Sequence, residues 1–254
     1  MPRLARFRML FAVLVLLAAF VLSLRAEDGA VASRAPTPST IIIGFTGGFV
    51  RHDSPYHGPV QLAQRIRKNL SHDNYVQVFE NRHRKSAYNT VLRLLDRDHD
   101  GVLTDQEKAQ AHIILFGHSW GASAVVLLAR ELDRIGIPVL LTVQVDSVAK
   151  LWQRDGIIPQ NVAAAANFYQ PHGLIHGRAV IHAADASKTQ ILGNYRYDYN
   201  QAPVKCEVTS WVGRTFMASH IESECDPHLW SQVENLVRQR LQPEPGIVAA
   251  VPLP

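Results

Sequence analysis

Residues 113–122 read Ile-Ile-Leu-Phe-Gly-His-Ser-Trp-Gly-Ala, an apolar run that passes through G-x-S-x-G into small and aliphatic residues. A serine hydroxyl is a weak nucleophile at neutral pH. It needs an adjacent base, and that base needs a carboxylate to fix its tautomer and stabilise its charged form. Gly117 and Gly121 suit a sharp strand-to-helix turn whose backbone passes close to its neighbours. Such a turn leaves Ser119 Oγ exposed above the C-terminal edge of a sheet, beside a helix N-terminus that favours developing negative charge. The chemistry these residues suit is acyl transfer through a covalent serine intermediate.

On this segment the chain resembles the α/β-hydrolase superfamily, and more closely its small exported lipase-like or thioesterase-like members, in which GHSWGA follows an apolar strand. The resemblance covers most of residues 41–241. It implies a single-domain, three-layer α/β fold with a mostly parallel sheet flanked by helices, and the chain order nucleophile, acid, histidine. His220, after the last expected strand and before the terminal helix, is the preferred base. His228 competes, but Asp226-Pro227 reads as an N-cap and first-turn proline that would place it inside a helix. His172 and His176 come too early for that order, and His182 falls in an expected strand. For the acid, Asp146 directly follows the strand VLLTVQV; Asp185, after AVIHAA, is the alternative, on the strand the superfamily uses more often. The oxyanion would take one N–H from Trp120 and a second from Gly48 or Phe49 in the segment GFTGGF, where the family's HGGG-type wording is absent. Phe49, Tyr56 and Trp120 are candidate walls of an acyl pocket, and Leu151–Asn161 and Tyr195–Val204 candidate lids.

A second motif is independent of the first. Residues 96–107, DRDHDGVLTDQE, fit D-x-D-x-D-G-x5-E at every position and resemble an EF-hand loop. A hard cation such as Ca²⁺ takes six to eight oxygens, and this spacing offers Asp96, Asp98, Asp100, the Val102 carbonyl, Thr104 and Glu107, with Gly101 at the sharp turn. The exit segment before Ile113 has only about two helical turns, and no second loop pairs with it. The expectation is a structural Ca²⁺ clip within an EF-hand-like insertion, residues 86–111, and no organic cofactor.

The elements that must hold these residues alternate. Ile41–Phe45, Tyr75–Phe79, Ile113–Phe116 and Val139–Val145 suit strands buried on both faces. Pro59–Leu70, Ser86–Leu95 and Ala122–Ile135 suit the helices between them. That alternation implies right-handed crossovers and a parallel sheet. Later come a helix near Asn161–Gln170, strands near Arg178–Ala183, Thr189–Leu192 and Cys206–Val212, and a helix over Pro227–Leu241.

Charge narrows the function class. The chain has 254 residues, 26 of them Lys or Arg and 22 Asp or Glu. Arg3, Arg6, Arg8 and Arg25 fall in the first 26 residues, which contain no acid; removing those four leaves 22 basic groups against 22 acidic. The body therefore offers no basic footprint for nucleic acid. The basic start, the apolar run Met9–Leu24 and the small residue at Ala26 read as an export signal or an uncleaved N-terminal membrane anchor, placing the body in the periplasm or outside the cell. Residues 27–40 read as a linker and 242–254, with four prolines, as an irregular tail. In an oxidising compartment Cys206 and Cys225 are an expected disulfide. The substrate expected is a small-molecule or lipid ester, and oligomeric state is not legible. A non-catalytic calcium-stabilised envelope protein on the same fold, and an acyltransferase, stay open as alternatives.

Overall fold

Thr40–Thr46 (TIIIGFT) forms β1, buried along its whole length, and its aliphatic residues alternate between the two sides of a sheet. The computed structural model of the chain describes residues 38–69, 73–206 and 217–241, all within one unit, Thr37–Pro254. In chain order the further elements are α1 (Gly58–Asn69), β2 (Asn74–Glu80), a 3₁₀ turn (Asn81–His83), α2 (Arg84–Leu95), α3 (Asp105–Ala109), β3 (Ile113–His118), α4 (Trp120–Asp133), β4 (Val139–Val145), β5 (Ile157–Ile158), β6 (Val162–Tyr169), β7 (His182–Ala183), β8 (Gln190–Arg196), α5 (Ala218–Cys225) and α6 (Pro227–Leu241).

Six strands make one parallel sheet in the order β2-β1-β3-β4-β6-β8, and β5 pairs with β7 in a separate parallel ribbon. Ile41, Ile43, Phe45, Ile113 and Leu115 face one core with Ala87 and Val91 of α2 and Val125, Leu128 and Leu132 of α4. Ile42, Ile114, Phe116, Leu141 and Val143 face the other, with Leu62 and Ile66 of α1 and Trp230 and Val233 of α6. Helices thus cover both faces, giving the three-layer architecture of an α/β-hydrolase fold. No helix among the described residues is long and apolar enough to cross a membrane; Met9–Leu24 and the tail 242–254 lie outside the described residues.

Several expectations are corrected. The helix expected at Asn161–Gln170 is instead strand β6, hydrogen-bonded between β4 and β8. Its alanines favour a helix intrinsically, but propensity is a weak prior that tertiary context overrides. Ala164, Ala165 and Ala166 are buried between the helical layers, where small side chains fit. The strand near Arg178–Ala183 shrinks to two residues in the ribbon, β8 runs on to Arg196, and β1 begins at Thr40. The strand near Cys206–Val212 lies outside the described residues beyond Cys206.

Candidate active site

The site begins where β3 ends. Ser119 links β3 to α4 with φ +56° and ψ −126°, a conformation that a non-glycine residue adopts only when its surroundings enforce it. A side-chain carbon on Gly117 would meet the Gly121 carbonyl at 2.6 Å. One on Gly121 would meet the Thr46 carbonyl oxygen at 2.7 Å. Both glycines are therefore required for β3 and α4 to close against β1, and the Ser119 N–H is tied to Val145 O at 2.9 Å.

His220 lies on helix α5, ahead of the terminal helix α6. Ser119 Oγ–H donates to His220 Nε2 at 2.9 Å, and His220 Nδ1–H donates to Asp146 Oδ2 at 2.6 Å. Ser119, His220 and Asp146 are all buried. Val145 pairs with His118 across β3 and β4, so the residues just beyond that pair, Ser119 and Asp146, emerge side by side at the sheet's C-terminal edge. Asp146 also has a positive φ, +43°. Its carboxylate is held from three further directions. Gly177 N–H donates to Oδ1 at 2.6 Å, Gln170 N–H to Oδ1 at 3.3 Å, and Gln170 Nε2 to Oδ2 at 2.9 Å. Gln170 and Gly177 were missed in the sequence; they act across 24 and 31 positions, and no local pattern marks them.

The competing residues are engaged elsewhere. Asp185 accepts from its own turn, from Ser187 N–H at 2.9 Å and Ser187 Oγ at 2.6 Å, and those bonds hold its carboxyl below the usual range. His228 is exposed in the first turn of α6, where its N–H is capped by Asp226. His172 pairs with Asp198 at 2.9 Å, His176 contacts the Gly173 carbonyl, and His182 is exposed on β7.

A second buried histidine supports the first. The His118 ring lies 4.7 Å from the His220 ring, and its Nε2 is 3.2 Å from both the His220 carbonyl and Ser223 Oγ. Glu224 Oε1 stands 3.5 Å from His118 Nδ1 and 2.8 Å from His57 Nδ1, close contacts that lack hydrogen-bond alignment. Burial presses the His118 pKa down, yet Glu224, helped by Asp146, holds it above the ordinary histidine value. Burial likewise opposes a charged Glu224, yet His118 and His57 hold its carboxyl well below the usual range. The His118–Glu224 contact braces the segment that carries His220.

A cavity of about 330 Å³ opens on Ser119 and His220, walled by Phe49, Trp120, Val148 and Ile175 among others. Gly48 and Phe49 reach it, and Phe49 meets Trp120 edge to face at 5.6 Å. Trp120 is the first residue of α4, where a helix leaves its N–H groups without intrahelical acceptors. Tyr56 is corrected: it lines a neighbouring cavity of about 360 Å³ with His57 and Lys205. The expected lid segments contribute none of the described lining of the Ser119 cavity; Val148 and Ile175 stand there instead.

The sequence matches no protein-family model and no curated protein. Among solved structures it is similar to a novel cutinase-like protein from Cryptococcus sp., at 12% identity and TM-score 0.40 over 82% of this chain and 98% of that one. It is similar to an acetyl xylan esterase at 10% identity and TM-score 0.38, over 81% of this chain and 99% of that one. A third is RedJ with a PEG molecule bound in its active site, at 10% identity and TM-score 0.35 over 66% and 85% of the two chains.

Two further features flank the site. Cys206 and Cys225 are joined, with Cα atoms 5.9 Å apart and a sequence separation of 19. Cys225 is the last residue of α5, so the bridge anchors the helix that carries His220. Closing a loop of that length stabilises the fold by about 3 kcal/mol. Replacing both cysteines by serine is expected to lower Tm by roughly 6–12 °C, read by thermal melting; an unchanged Tm would contradict the anchoring role.

In the acidic loop, carboxylate oxygens of Asp96, Asp98 and Glu107 lie within 4.8 Å of one another. Asp96 Oδ1 is buried without a hydrogen-bond partner, and Gly101 takes φ +82°. Asp100 Oδ1 instead accepts the Val102 N–H at 2.7 Å. Thr104 and Glu107 form a capping box at the start of α3. Bonds from Thr104 and Arg97 hold the Glu107 carboxyl down to about 2. An orphaned carboxylate oxygen beside two further carboxylates fits a hard cation.

Proposed function

We propose that this chain is an exported serine hydrolase that cleaves carboxylic ester or thioester bonds through an acyl-enzyme on Ser119. The observation that carries this reading is the continuous relay Asp146–His220–Ser119, opening into a largely apolar cavity. In the proposed reaction His220 Nε2 takes the Ser119 proton as Oγ attacks the substrate carbonyl carbon. The carbonyl π electrons move onto oxygen, where the Trp120 N–H and one from Gly48 or Phe49 stabilise the charge. Imidazolium His220, stabilised by Asp146, returns the proton to the departing alcohol or thiol as the C–O or C–S bond breaks. Water then repeats the sequence on the acyl-enzyme and releases the acid. Hydrolysis of a p-nitrophenyl acyl series, with fluorophosphonate labelling of Ser119, tests the reading; a native protein that neither hydrolyses nor labels would refute it. The export assignment is supported by Arg3, Arg6 and Arg8 and the apolar run that follows them.

We also propose that the 96–107 loop holds a structural Ca²⁺ through Asp96, Asp98 and Glu107, with Asp100, Val102 and Thr104 in the same loop. The ion would neutralise clustered carboxylates and tie α2 to α3. Binding to the folded state alone raises stability by about 2.7 kcal/mol at a hundredfold excess over Kd. Millimolar Ca²⁺ is therefore expected to raise Tm by several degrees over the EDTA-treated protein, and Asp98→Ala to abolish the rise. Identical melting curves with and without Ca²⁺ would exclude the site.

A further inference from the structure

We infer that Asn81 is a positioning residue that sets the oxyanion-stabilising backbone of the Gly47–Phe49 loop, an inference that rests on the serine-hydrolase reading. Asn81 opens the 3₁₀ turn after β2 and is buried at 5% exposure. Its Nδ2 donates to Gly48 O at 2.6 Å and to Thr46 O at 3.3 Å. A peptide unit is planar and trans, so a carbonyl and the N–H that follows it point in opposite directions. Fixing the Gly48 carbonyl on Asn81 aims the Phe49 N–H the other way, and the loop's other neighbour is the cavity it shares with Ser119.

The loop needs such a clamp. Gly48 has φ +44° and no side-chain steric lock, so its backbone rotates at little cost. If the Gly48 carbonyl turned over, an acceptor would stand where negative charge develops. The orientation of the Asn81 amide is itself determined. Lys150 Nζ donates to Asn81 Oδ1 at 2.6 Å, and an ammonium has no acceptor to offer an amide NH₂. The same Nζ lies 4.7 Å from the centre of the Trp120 ring. Lys150 therefore touches both halves of the oxyanion site, the Trp120 side directly and the Gly48–Phe49 side through Asn81.

The test compares Asn81→Asp, Asn81→Ala and Lys150→Met with the native protein. Asn81→Asp keeps size and the Lys150 contact but removes the donors, so it reports on the clamp even where Asn81→Ala fails to fold. Loss of one oxyanion donor costs about 10²–10³ in kcat. In Asn81→Asp kcat is expected to fall by that factor with KM unchanged. Inhibition by an alkyl boronic acid, which mimics the tetrahedral state, should weaken in parallel. Lys150→Met should fall in the same direction and less far. Native kcat and boronate affinity in Asn81→Asp, with labelling of Ser119 intact, would overturn this inference alone. A native protein that does not label would overturn the serine reading and this inference with it.

Discussion

Ser119→Ala is expected to lower kcat for p-nitrophenyl ester hydrolysis by about 10⁶-fold, and Ser119→Ala combined with His220→Ala to be no worse than either alone. The reason is geometric. Ser119 Oγ and His220 Nε2 lie 2.9 Å apart, and neither group has a separate part to play once the other is gone. What survives, about 10³–10⁴ over water, is binding and oxyanion stabilisation. Losses that multiplied in the double variant would mean that the two residues act independently, contrary to the relay. Both substitutions shorten side chains at a cavity wall, so unchanged folding can be verified by comparing melting curves.

The second large effect belongs to Asp146. Asp146→Asn is expected to cost about 10⁴ in kcat, whereas Asp185→Asn should leave activity within about twofold of native. An amide that keeps its oxygen toward the backbone N–H groups of Gln170 and Gly177 presents NH₂ to His220 Nδ1 and to Gln170 Nε2, which selects the tautomer unable to accept the Ser119 proton. An amide turned the other way sets its NH₂ against the backbone N–H donors of Gln170 and Gly177. An unsatisfied buried donor costs about 1–3 kcal/mol, so Tm should fall as well. If Asp185→Asn were the inactive variant, the acid would have been assigned to the wrong strand.

How much of this was legible in the sequence depended on the range of the constraint. The turn around Ser119 could be read because its demands fall on Gly117 and Gly121, within two residues of it. Asp146 stood out because an apolar strand stops there. His220 came from chain order alone, and its seat on a short helix was not foreseen. Gln170, Gly177 and Asn81 were invisible, since each hydrogen-bonds to residues that only the parallel sheet brings near. Ala164–Ala166 misled for the opposite reason: their intrinsic preference is helical, and burial between two layers overrides it. Tyr56 looked like pocket lining by residue type, but it lines a different cavity, with His57 and Lys205.

The attachment of α5 has a consequence for heat inactivation. Ser119 and Asp146 sit at the ends of adjacent central strands, whereas His220 rides on an eight-residue helix outside the sheet, held by the disulfide, by the contacts of His118 and His57 with Glu224, and by hydrogen bonds from Val204 N–H to Glu222 and from Trp230 to the Ser223 carbonyl. Elements outside the central sheet can open locally at a lower free energy than the global fold. Release of α5 alone would leave the sheet intact and Ser119 without His220. Activity is therefore expected to fade below the temperature at which the sheet melts, and loss of the Cys206–Cys225 bridge to widen that gap.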